Sequence, residues 1–187
     1  MHVPHVTARP RDPWWDAAAA LAALQAALAL VLLLTAQWRE AAVMLSFLLP
    51  MTLLVALPVR LPSPHLALAA LAFMVSAAGS AFHWYVAWGP FDALVHFLNL
   101  LAMTAPSMHF LWRARIVQAR PGSAAFAAMA VLWGLLLGLL WEVLETFVLD
   151  LTLADTLSDL AFDAAGAGLG GVLAGALIRS GGVRPVR

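Results

Sequence analysis

Ten acidic residues and six histidines carry the chemistry available to this chain of 187 residues, which holds no cysteine. Without thiols there are no disulfides, iron–sulfur clusters, thiolate zinc sites or cysteine nucleophiles. All the basic residues are arginine, which removes Schiff-base chemistry and the phosphate-loop lysine. The acids and imidazoles recur at helical spacing. Asp92, His96, Asn99 and Met103 fall on one helix face, and Ser76, Ser80 and His83 fall on another. Glu142 and Glu145 continue a stripe begun by Gly134 and Gly138, and Asp159 and Asp163 lead into Gly166 and Gly170. Side chains three or four apart on a helix can share one ion. Carboxylates with imidazoles and no sulfur suit Zn, Mn, Fe or Mg rather than Cu(I). The expected metal ligands are therefore His83, Asp92, His96, Asp159 and Asp163, with Glu142 and Glu145 as catalytic bases. No arginine shares those faces, so protons, a charged histidine, water or a bound cation must offset the negative charge.

The elements that position these groups are membrane spans. Hydrophobic residues make up 64% of the chain and charged ones 11%, with a mean hydropathy of +0.91. Soluble domains carry about 25% charged residues, so this composition excludes a soluble globular enzyme. A formal net charge of zero gives no field for an anionic polymer, and no nucleic-acid partner is expected. A bilayer core of about 30 Å takes roughly 20 apolar residues as a helix. Six segments meet that length: 17–37, 41–59, 66–88, 91–112, 123–148 and 160–178. The expected fold is an all-α polytopic bundle of six transmembrane helices, a single transmembrane domain over 1–187.

Arginine placement orients it. Arg9, Arg11, Arg60, Arg113, Arg115, Arg120, Arg179, Arg184 and Arg187 fall on one side of that arrangement, and Arg39 alone on the other. Basic residues stay cytoplasmic, so both termini are expected inside and the acids outside. Asp92, Asp150 and Asp155 read as solvated loop groups, and His65 as part of an inner loop. Asp163 does not fit a loop, because residues 164–178 span only about 22 Å at the helical rise. An ionisable group inside a span is a functional-site hypothesis by default.

The run Asp92-Ala-Leu-Val-His96-Phe97, then Trp141-Glu142-Val-Leu-Glu145, then Ser158-Asp159-Leu-Ala-Phe-Asp163 with its glycines, resembles the YjdF-type family of bacterial membrane proteins. More distantly it is similar to VanZ-like proteins, which share a His near a helix start, a later Glu and an Asp-then-Gly final helix. The likeness covers about residues 83–175. It implies a multi-pass protein of the bacterial inner membrane and supports the choice of residues, without implying an activity.

Several functions compete for such a site. The leading one is an outward-facing His/carboxylate centre that binds a divalent cation and hydrolyses a lipid-type substrate. Intramembrane proteases and ceramidase-like hydrolases use comparable sets, but their Glu-Glu-x3-Arg and His-x3-His motifs are absent. A cation- or proton-coupled transporter is the alternative, although the inner half offers only Pro106, Ser107 and His109 to continue a pathway. Haem is disfavoured, because His96 and His109 share one helix and only His83 offers a partner elsewhere. An accessory subunit would dock on other membrane subunits through its glycine-rich faces. The lipid bilayer is a partner in every case.

Overall fold

The computed structural model describes residues 12–56, 61–147 and 152–181. Arg9, Arg11, Arg60, Asp150, Arg184 and Arg187 lie outside the described residues, as do 57–59 and 148 from two expected spans. Every described element is a helix: α1 (Pro13–Leu34), α2 (Trp38–Ala56), α3 (Ser63–Ala81), α4 (Trp84–Ala87), α5 (Phe91–Arg113), α6 (Ala124–Glu145) and α7 (Leu153–Ser180). Among the described residues α1, α3, α5, α6 and α7 are long and apolar enough to cross a membrane.

Side-chain caps set several of the starts. Asp12 precedes Pro13, accepts the Trp15 amide and also accepts the Ser63 hydroxyl, which ties the start of α1 to the start of α3. The Ser63 hydrogen bond, followed by that of the Trp15 amide, holds the Asp12 carboxyl below its usual range. Ser123 caps α6 in the same way through the Phe126 amide.

Several helix boundaries differ from the sequence reading: α1, α2 and α3 begin three or four residues early, α1 ends three early, and two differences are larger. The third span was expected to run to residue 88, but α3 stops at Ala81. His83 turns into the left-handed region (φ 58°), a conformation that ends a helix and that histidine adopts more readily than most residues. The short α4 then folds back, and the rings of Trp84, Tyr85 and Trp88 gather around Phe91. The last helix starts at Leu153, seven residues before the expected 160. Thr152 caps it by accepting the Asp155 amide at 3.2 Å, and Asp155 favours the positive end of the helix dipole. Asp155 is thus an exposed first-turn residue of α7, and Asp92 opens α5. His65 is no loop residue either: it is buried in the first turn of α3.

The helices form two groups, α1–α2–α3 and α5–α6–α7, joined where α3 meets α5. Alanine and methionine fill the first, with Ala29, Ala41, Met44 and Ala77 at its centre. Gln25, buried there, donates to the Met44 carbonyl at 2.9 Å. Glycine builds the second. A Cβ at Gly166 would strike the Phe97 carbonyl, and one at Gly170 would lie 3.0 Å from the Leu101 carbonyl. α5 and α7 therefore run parallel with their backbones nearly touching. On the other flank Gly138 faces Asp163, Gly134 faces Ala167 and Gly171 faces Ala130, the register of an antiparallel α6–α7 pair.

Candidate metal centre

That glycine register brings one imidazole into a ring of carboxylates. His96 lies a turn and a half into α5, and its Nδ1 is 3.1 Å from Asp163 Oδ1 on α7. Its Nε2 faces the other way, 3.9 Å from Asp92 Oδ1 and 4.0 Å from Asp159 Oδ2. Asp92, His96 and Asp159 each offer a ligand atom within 4.8 Å of the others, and so do His96, Glu142 and Glu145. Five carboxylates from three helices thus converge on His96.

Burial makes the cluster costly unless something joins it. His96, Glu142, Asp159 and Asp163 are all buried, with Asp163 fully enclosed. Neither oxygen of Glu142 has a hydrogen-bond partner, and Asp163 Oδ2 has none. A buried carboxylate without a donor carries its whole desolvation penalty. Asp163 fits only because residue 138 is glycine, since a Cβ there would collide with its carboxylate.

The donor set fits a hard or borderline divalent cation: one imidazole nitrogen, several carboxylate oxygens and no sulfur. With the proton on Nδ1, His96 donates to Asp163 Oδ1 and its Nε2 lone pair faces Asp92 and Asp159. Carboxylates orient metal-bound histidines in the same way. Asp163 is then the group that sets the His96 tautomer, and Asp92 and Asp159 stand on the ligand side. Tyr85 lies outside the spans near this end, where burial first, and then the charges of Asp92 and Glu145, push its phenol up to about 12. It remains a neutral hydroxyl across the physiological range.

A family model described as a predicted membrane protein (DUF2238), of YjdF type, matches residues 16–180. The chain belongs to this family. The match takes in all of α5, α6 and α7 down to Ser180, and with them every residue of the cluster. Neither a curated protein nor a solved structure matches the chain.

Of the expected ligands, the structure brings together Asp92, His96, Asp159 and Asp163, along with both expected bases, Glu142 and Glu145. It does not bring His83, which is exposed in its left-handed turn and belongs to neither ligand group. From α3 the nearest polar contact is Ser76, which donates to Asn99 Oδ1 at 3.1 Å one turn from His96 and belongs to neither ligand group. Two packing relations were not foreseen from the sequence. One is Gly138, whose missing side chain makes room for Asp163. The other is the buried pair His65 and His109, whose rings meet edge to face at 5.5 Å. The i,i+4 glycine stripe pointed toward the first, and no local signal marks the second.

Proposed function

We propose that this membrane protein binds a divalent cation at the His96 centre, with Asp92, Asp159, Glu142 and Glu145 supplying oxygens and Asp163 orienting the ring. The observation that carries this reading is Glu142, buried at 3% exposure with both oxygens unpartnered and with an oxygen within 4.8 Å of a His96 ring nitrogen. A cation satisfies those oxygens and offsets the clustered charge at once.

Six spans, α2 included, complete the reading as one transmembrane domain of the bacterial inner membrane. Asp12 touches Ser63, His65 touches His109, and Arg179 donates to the Pro121 carbonyl. These contacts gather Arg113, Arg115, Arg120 and Arg179 at one end of the bundle, and Arg39 starts α2 at the other. The positive-inside rule turns the arginine end to the cytoplasm and the His96 centre outward. A divalent ion there would supply a Lewis acid for hydrolysis of a lipid-type substrate. Glu142 or Glu145 would take the proton of the attacking water. The glycines at 134, 138, 166, 170 and 171, expected to meet other subunits, pack among α5, α6 and α7 instead.

The deciding experiment is elemental analysis and cation titration of the full chain in detergent, with Zn and Mn offered separately. Stoichiometric binding that His96→Ala abolishes is the expected result. Equal binding by wild type and His96→Ala refutes the centre.

A further inference from the structure

At the other end of α5 lies a second polar anomaly, separate from the metal centre. His65 is buried, and neither of its ring nitrogens has a hydrogen-bond partner. It lines a cavity of about 420 Å³ in the crevice where α2 and α3 face α5 and α6. That volume is within the range of small-molecule sites. The remaining walls are almost wholly apolar, among them Phe73, Ala102, Met103 and Leu137. Ser107 and Trp133 also line the cavity, but the indole N–H donates to the Ser107 hydroxyl at 2.8 Å, and that hydroxyl donates to the Met103 carbonyl. Among the described residues, His65 is therefore the only polar side chain lining this cavity that has an unmet hydrogen bond.

Depth indicates what would meet it. His65 is the third residue of α3, and His109, edge-on to it, is one turn from Arg113, where α5 ends. The imidazole thus sits near the membrane interface on the arginine side. From His65 the cavity reaches Phe73, eight residues and about 12 Å deeper along the helix. Met103, 44% exposed, leaves the cavity accessible from the outside of α5. A slot with one hydrogen-bonding group at interface depth and an apolar interior running toward the midplane matches one molecule type well. That molecule is a diacyl glycerolipid, whose ester carbonyls lie at the interface and whose chains run inward.

We propose that the His65 cavity is a lipid site, which takes an acyl chain of a glycerolipid from the arginine-side leaflet while the His65 ring, its nitrogens enclosed beside His109 before the lipid enters, turns to donate to the ester carbonyl. A neutral imidazole supplies the N–H, and the apolar walls take up chain that would otherwise pack loosely against a void. The site requires nothing of the His96 centre.

The test uses the full chain in detergent, titrated with dioleoyl phosphatidylglycerol and with its dialkyl ether analogue, read by native mass spectrometry. Wild type should bind the ester about tenfold more tightly than the ether, the worth of one good hydrogen bond. Leu137→Trp fills the cavity from α6 and should weaken both lipids about tenfold or more. Met103→Trp does the same from α5 if the first variant fails to fold. His65→Leu should still bind chains while losing the preference for ester. Equal binding of ester and ether by wild type overturns the proposal, as does undiminished binding by a folded cavity-filled variant. Cation binding measured on the same samples reports on the His96 centre alone, so failure of one site is distinguishable from failure of the other.

Discussion

Gln25 in the first three-helix group and Glu142 in the second are buried in opposite ways. In α1–α3, Gln25 reaches across to the Met44 carbonyl, so its amide contributes a hydrogen bond to the packing of two helices. In α5–α7, Glu142 and one oxygen of Asp163 are as deeply enclosed and have no partner at all. The first pattern holds a structure together, and the second leaves room for something the chain does not itself provide. The backbones differ to match. Alanine and methionine fill the core of α1–α3, whereas glycines bring α5, α6 and α7 close enough for carboxylates of all three helices to surround one imidazole.

Substitutions in each group can break or sharpen that contrast. Gly166→Leu should have the largest effect, because the new side chain meets the Phe97 backbone, which cannot rotate away. A loss of more than about 3 kcal/mol is expected from such overpacking, seen as aggregation on size exclusion. Soluble, monodisperse Gly166→Leu protein would mean that the α5–α7 contact is looser than described. Asp163→Asn keeps the shape of the His96 partner and removes its charge. Cation affinity should fall about 10–100-fold, the usual loss when a group orienting a ligand is changed, while the melting temperature holds or rises. Unchanged affinity would remove Asp163 from the centre. Gln25→Leu should cost about 1 kcal/mol in a denaturation series and leave cation binding untouched, which is what a purely structural amide requires. The smallest effect is expected from Asp155→Asn, within about 0.5 kcal/mol in stability and without change in cation titration, since that side chain is exposed.

Periodicity made the faces legible before any coordinates. Hydropathy marked the apolar runs, and steps of three and four put Asp92 with His96 and joined each acidic stripe to its glycines. What periodicity cannot carry is register between helices. That Gly138 sits opposite Asp163, or that Asp163 takes Nδ1 while Asp92 and Asp159 face Nε2, depends on how α5, α6 and α7 slide against one another. The helix ends were misjudged for local reasons. His83 lay in an unbroken apolar stretch, so its left-handed turn was invisible there. Thr152 and Asp155 do have capping spacing, but among scattered acids they read as loop. His65 follows Pro62 and Pro64, which suggested a connector, although proline is equally at home in a first helical turn.

The parallel seating of α5 on α7 also constrains how the protein is made. His96 and Asp163 are 67 residues apart in the chain. At ribosomal speeds of roughly 5–20 residues per second, about 3–13 s separate the synthesis of one from the other. During that interval α5 has emerged with an imidazole and an aspartate whose partners on α7 do not yet exist. A helix in that condition is poorly suited to release into lipid. α5 therefore has to wait at the insertion machinery, or be shielded beside it, until α7 is synthesised. On this account, the last helix completes the integration of an earlier one, and a ribosome stalled before α7 would strand α5 at the membrane gate.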